Sequence, residues 1–281
     1  MGKALAVLLT LLTAITVWMF AGQRAPWFPE NISTDGALID AQFRRTFVVV
    51  GLAFVAAQLA LGYAVWRFSR KAAGRAAYLP GSSKIDVAWT IFTAVVFITL
   101  AITGQRLWSR LQLTSAASVA APADTLHVGL VAQQFQFTFH YAGADGVFGR
   151  TAPAFYNDAM GNAIGLDPDD AAGNDDSQLP ALVVPTNRYI ELTMRSRDVI
   201  HNFFVPAMRI KQDIVPGLTI RLRFTAMRPG KYEIPCAELC GNGHYKMKSW
   251  LIVVPADEYA ELERSSKAQL RARVEALLMP Q

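Results

Sequence analysis

The chain contains two cysteines, four apart in the stretch Cys236-Ala-Glu-Leu-Cys240-Gly-Asn-Gly-His244-Tyr-Lys-Met247. Thiolate, imidazole and thioether are soft-to-borderline donors, a set suited to copper rather than to magnesium or calcium. The spacing C-x3-C-x3-H-x2-M puts four donors inside twelve residues, which calls for a loop between strands. A second imidazole, His201, lies in the strand-like Asp198-Val-Ile-His-Asn-Phe-Phe-Val-Pro206. Other readings compete for the same residues. Two nearby cysteines can close a disulfide in an oxidising compartment. With His201 and His244 they can form a tetrahedral Cys2His2 zinc site. His244 can also be a solvated residue beside a glycine turn. Met247 shifts the balance toward copper, since structural zinc sites do not use thioether ligands.

The elements that must position these donors read as β. Apolar and polar residues alternate in 125–132, 134–141, 188–194, 218–225 and 249–254. Pro-Gly pairs at 216–217 and 229–230 punctuate them. Short strands over residues 120–255 predict a sandwich or small barrel. Ala142 to Pro180 interrupts the pattern with seven Asp and one Arg, and reads as a solvated insertion. If functional, a loop of this length favours docking against a partner over long-range steering of a basic donor. Pro255 to Leu278 has helical spacing and predicts one amphipathic helix, with residues 256–281 as the C-terminal segment. His127, His140, Met160 and Met208 have no companions at metal spacing and read as structural. Phe135, Phe137, Phe139 and Tyr141 have strand period two, a core-facing stripe.

Composition points to a membrane. Apolar residues make up 52% and charged residues 17%, below the quarter or so usual in soluble domains. Uncharged apolar runs occupy residues 4–21, 46–66 and 87–104, each near the length needed to span a bilayer. They predict a three-helix anchor within residues 1–110. The first run also has features of a signal peptide, but no clean cleavage site follows Ala21, which favours a retained helix. Arg67, Arg70, Lys71, Arg75 and Lys84 oppose only Asp86 between the second and third runs. The positive-inside rule places that loop in the cytoplasm and the remainder, from about Gln105, outside. The net charge of +5 comes from the hydrophobic part: residues 1–110 hold 11 Lys/Arg against 4 Asp/Glu, and residues 111–281 hold 16 against 18. A nucleic-acid binder would carry its positive charge on the folded domain.

Residues 198–254 resemble subunit II of the haem–copper cytochrome c oxidases. The matching pieces are D-V-I-H-N-F-F-V-P (198–206), K-Q-D-I-V-P-G (211–217), R-P-G-K-Y (228–232) and C-A-E-L-C-G-N-G-H-Y-K-M (236–247). The I-D-V-A-W-T at 85–90 is similar to the start of that family's second helix. The resemblance implies helical anchors and an extracytoplasmic cupredoxin-like Greek-key domain. It also implies a dinuclear copper centre, CuA, with Cys236 and Cys240 bridging. His201 and His244 would each ligate one copper, Met247 and the Glu238 carbonyl would be weaker ligands, and the Glu238 side chain would reach a magnesium ion at the junction with subunit I. The activity implied is acceptance of electrons from cytochrome c or another haem c protein and their transfer to haem in subunit I. Oxygen reduction and proton translocation follow there, in a bacterial cell membrane and in company with the other oxidase subunits and lipid.

Departures from the family are specific. Phe135 stands where a leading Trp is expected to admit the electron. Asp86 replaces the Glu that precedes the W-T pair, a proposed point of proton uptake. Three apolar runs stand where the family suggests two. No C-x-x-C-H occurs, so no c-type haem is attached and electrons must come from another protein. A quinol-oxidising relative is disfavoured because the copper ligands are retained. A membrane-tethered copper carrier and a zinc-stabilised structural domain are the alternatives from other classes.

Overall fold

A computed structural model of the chain describes residues 2–22, 29–68, 78, 80–115 and 120–279. It divides into a helical unit and a β unit.

The helical unit contains α1 (Gly2–Gly22), α2 (Gly36–Phe68) and α3 (Ser83–Ser115). All three are long and apolar enough to cross a membrane. Side chains such as Leu52, Phe68, Trp89 and Phe97 are exposed, as lipid-facing residues of a helical anchor must be. Hydroxyls have no water to turn to in such surroundings. Thr10, Thr13 and Thr16 each donate to a carbonyl one turn back, at Ala6, Leu9 and Leu12. Gly62 lets α2 approach α1 beside Thr10 and Ala6. The basic residues Arg70, Lys71 and Arg75 of the 67–84 loop lie outside the described residues.

The β unit contains β1 (Leu126–Gln133), β2 (Gln136–Tyr141), β3 (Ser177–Leu179), β4 (Leu182–Pro185), β5 (Tyr189–Ser196), β6 (His201–Val205), β7 (Ile210–Ile214), β8 (Ile220–Thr225), β9 (Gly230–Pro235) and β10 (Lys248–Val254). One sheet has the order β3-β2-β1-β5-β8, a second β4-β10-β9, and β6-β7 form a separate ribbon. β1 runs parallel to β5, and β10 parallel to β4; the other pairs are antiparallel. Alternating Val128, Leu130, Ile190 and Leu192 from the first sheet join Leu182, Val184, Leu251 and Val253 from the second in one core. Tyr141 ties the sheets together: its hydroxyl donates to the Val183 carbonyl at 2.9 Å and accepts from the Val183 N–H at 2.7 Å. The result is a cupredoxin-like β-sandwich.

A strap from the segment between α1 and α2 belongs to this unit as well. Ile32 is fully buried in the β core. Its N–H donates to the Ala207 carbonyl at 3.0 Å, and its carbonyl accepts from the Met227 N–H at 2.7 Å. Ser33 adds a bridge to Ala226 and a hydroxyl bond to the Met208 carbonyl at 2.9 Å.

Two expectations need correction. The insertion is folded rather than a solvated loop. Three short 3-10 turns and the buried Ile164 give it a framework, and its last residues enter the sheet as β3. Some of its acids are used internally: Asp176 accepts from buried His140 at 2.5 Å and from the Gly149 N–H at 2.9 Å, and Asp170 caps a turn. Burial lowers the His140 pKa, partly opposed by Asp176. The C-terminal segment is two helices, α4 (Ala256–Glu263) and α5 (Lys267–Leu278). Ser266 and Gln269 form a capping box that starts α5 afresh and so breaks the single helix.

Candidate metal centre

The donor-rich loop connects β9 to β10. Its neck closes where the Cys236 N–H donates to the Met247 carbonyl at 3.0 Å, continuing the β9–β10 ladder by one rung. β6 lies alongside: Phe203 bridges Cys236, and the Ala237 N–H reaches the Asn202 carbonyl. The first residue of β6, His201, is thereby brought to the loop. A 3-10 turn at His244–Lys246 then folds the loop back over its neck.

All six residues singled out in the sequence come together. A nitrogen of His201 and the two cysteine sulfurs lie within 4.8 Å of one another, the one such cluster among the described residues. The sulfurs are 3.9 Å apart. Cys240 Sγ is 3.6 Å from His244 Nδ1 and 3.6 Å from Met247 Sδ. Cys236 Sγ is 3.3 Å from the Glu238 carbonyl oxygen, while the Glu238 side chain is exposed. The cysteines, Met247 and His201 are buried, and both cysteines are free thiols rather than a disulfide.

Protonation is uneven across the pair. Burial pushes both thiols up. At Cys236 the His201 imidazole and the Asn202 and Glu238 backbone groups outweigh it and bring the pKa down to about 6. At Cys240 burial and the neighbouring Cys236 charge act together and raise it to about 11. Near neutral pH the metal-free centre therefore holds one thiolate and keeps the second sulfur protonated, a proton that a bound cation would displace.

Asp198 and Gln134 also build the site, and the sequence reading missed them. Asp198 Oδ1 holds His201 Nε2 at 2.8 Å, and Oδ2 accepts the Gln134 N–H at 2.7 Å. Burial alone would raise the Asp198 pKa, but these bonds and the Val199 N–H lower it. The Gln134 side-chain amide donates to the Cys240 carbonyl at 2.5 Å. Asp198 carried a local signal, a carboxylate three residues before a histidine. Gln134 carried none, because its partners are distant in sequence.

Phe135 is half-buried against the loop. A Cβ on Gly243 would lie 2.5 Å from its ring, and one on Gly241 would lie 2.6 Å from the Gln134 amide. Gly241 also has φ +131°, a conformation that glycine alone adopts freely. The two glycines of the C-G-N-G-H run thus make room for residues 134 and 135. Asp86 belongs to the helical unit, exposed in the first turn of α3.

A soft metal fits this set. His201 Nδ1 is buried without a hydrogen-bond partner while Nε2 is fixed by a carboxylate, the arrangement that orients an imidazole toward a cation. Three sulfurs beside two imidazoles favour copper over hard cations.

Comparison with known proteins agrees. The family model for the cytochrome c oxidase subunit II periplasmic domain matches residues 169–256. The alternative cytochrome c oxidase subunit 2 of Bradyrhizobium diazoefficiens is 32% identical over 261 residues, covering 92% of this chain and 90% of that protein. The chain belongs to the cytochrome c oxidase subunit II family. The cytochrome c oxidase subunit 2 of Thermostichus vulcanus is 29% identical over 284 residues, covering 94% of this chain and 85% of that one. The crystal structure of the periplasmic domain of subunit II of cytochrome oxidase (CoxB) of Bradyrhizobium japonicum is 27% identical, with a TM-score of 0.39. It covers 54% of this chain and 99% of that structure. As a subunit II, the protein is part of an oxidoreductase complex, with membrane-spanning helices and an extracytoplasmic copper-type domain.

Proposed function

We propose that this subunit II accepts electrons from a cytochrome c-type donor and passes them to haem in subunit I, where oxygen is reduced and protons are translocated. The observation that carries the reading is the bare, buried Nδ1 of His201 facing a set of two thiols, a thioether and a second imidazole. His201, Cys236, Cys240, His244, Met247 and the Glu238 carbonyl would hold two copper ions as a CuA centre. Bound there, the pair would share one electron through two sulfurs, which keeps geometric change on redox small. The chain's part is to fix the donors in advance. Asp198 orients His201, the β9–β10 neck locks Cys236 to Met247, and burial shields His201, both cysteines and Met247 from solvent.

In this reading α1, α2 and α3 anchor the protein in a bacterial cell membrane, residues 120–255 together with the strap around Ile32 form the copper domain, and α4 and α5 follow it. The exposed Glu238 carboxylate is available for a magnesium ion shared with subunit I. Phe135, seated on the metal loop, is the point where the electron is admitted, and Asp86 is a point of proton uptake. Copper content and electron paramagnetic resonance of the purified full chain test the reading. Two coppers per chain with one unpaired electron spread over both are expected, and Cys236→Ser or Cys240→Ser should abolish that shared signal. One zinc per chain, or copper lost on mild chelation, would overturn it in favour of a structural zinc domain or a copper carrier.

A further inference from the structure

The folded insertion is tied to the strand ends beside the metal centre by the Arg197 side chain, with a longer bond from Gln133 to Asp158 at 3.5 Å. The Arg197 guanidinium donates to the Gln133 side chain, to Asp158 Oδ1 at 2.7 Å and to the Ala163 carbonyl at 3.2 Å. It also lies 4.1 Å above the Tyr156 ring. Its backbone N–H donates to the Ala132 carbonyl at 3.0 Å. Three residues of the insertion are thus fastened to the end of β1 by a side chain that is 17% exposed. An isolated surface ion pair would contribute little. A mostly buried guanidinium with several fixed acceptors and a stacked ring instead sets geometry.

What this fastening fixes is the next residue on each strand. Asp198 follows Arg197 and holds His201; Gln134 follows Gln133 and holds both Asp198 and the Cys240 carbonyl. Gln134 is itself exposed, so solvent does nothing to keep its amide in place. The insertion's charge is also less free than its composition suggests. Asp158, Asp167 and Asp176 are paired with Arg197, Arg150 and His140.

We propose that Gln134 is a positioning residue of the metal centre, gripping the imidazole support and the thiolate loop together, and that Arg197 uses the insertion as the abutment that keeps Gln134 in register. The inference rests on the copper reading above. It assigns the insertion to the rigidity of the centre rather than to attraction of a donor.

The test uses the full-length, copper-loaded chain and four variants: Gln134→Met, which removes the amide at similar size, Arg197→Gln, the double variant, and Arg197→Lys. Optical spectrum, reduction potential and the rate of copper release to a chelator are read. Each of the first two variants should release copper about tenfold faster and alter the spectrum, the scale seen when an outer-shell partner of a metal ligand is lost. The double variant should release no faster than Gln134→Met alone, because Arg197 acts through Gln134. Arg197→Lys should restore the rate in part. An Arg197→Gln chain with a lower melting temperature but wild-type spectrum, potential and release rate would overturn the inference, as would a double variant in which the two effects multiply. If Arg197→Gln does not fold, Tyr156→Leu removes the stacking face alone and is held to the same criteria. A wild-type chain that takes up no copper would overturn the copper reading and this inference with it; a loaded wild type with unaffected variants overturns the inference alone.

Discussion

Asp198→Asn is the most informative single change at the centre. The carboxylate accepts from His201 through one oxygen and from the Gln134 N–H through the other, with the Val199 N–H also donating at 2.7 Å. Asparagine offers one acceptor oxygen in place of two. If that oxygen keeps His201, the new NH2 group faces the Gln134 N–H, donor against donor. One charge-assisted bond is then lost, worth about 1.5–3 kcal/mol, and the imidazole loses the negative partner that raises its basicity. Copper affinity should fall about 10- to 100-fold, equivalent to roughly 1.4–2.8 kcal/mol. Chelator competition on the purified chain measures the affinity, and potentiometry should show the potential displaced at the same time. Affinity and potential both within twofold of wild type, or the energetic equivalent, would refute the reasoning and show that the strand, not the carboxylate, orients His201.

Other outcomes follow from the same geometry. Thiolate ultraviolet absorbance of the metal-free chain should titrate in two steps, near pH 6 and near pH 11; Cys236→Ser should remove the lower step and move the upper one down, since the Cys236 charge helps hold Cys240 protonated. Because the Cys236 pKa is depressed on folding, its contribution to stability is full above the ordinary thiol range and is lost as pH falls through about 6, which denaturant melts of the metal-free chain should register. Met247→Leu should retain copper and shift its potential, as a weak axial ligand tunes the metal rather than holding it. Gly243→Ala should displace the Phe135 ring, costing about 1–3 kcal/mol of overpacking, seen as a lower melting temperature together with a changed copper spectrum.

The metal loop was legible because its chemistry is local. Four donors within twelve residues announce themselves whatever the fold, and alternation located β1, β5, β8 and β10 closely. What failed to show was everything made by pairing across the chain. Gln134 and Cys240 are 106 residues apart, and nothing in either neighbourhood marks their bond. The insertion misled for a related reason. A count of its acids suggests repulsion and hydration, yet Asn162 alone donates to Phe155 and Leu166 and accepts from Leu166, a knot of short-range bonds that composition does not register. The C-terminal helix was split by Ser266, a cap signal hidden within an otherwise continuous helical period.

The strap around Ile32 makes the β unit incomplete without sequence that precedes two of the helices. A shortened chain that begins after α3 would leave an isoleucine-sized hole in the sandwich, and would strip the Ala207 carbonyl and the Met227 N–H of their partners. Ribosomal order then matters: residues 29–33 emerge early and must wait, on the same side of the membrane, for strands made much later. Because they end up in the core of the extracytoplasmic unit, the α1–α2 connection has to be extracytoplasmic too. That fixes the threading of the first two helices by packing, independently of any tally of basic residues. A soluble copper domain for spectroscopy should therefore carry this five-residue stretch grafted back, or receive it as a peptide supplied in trans.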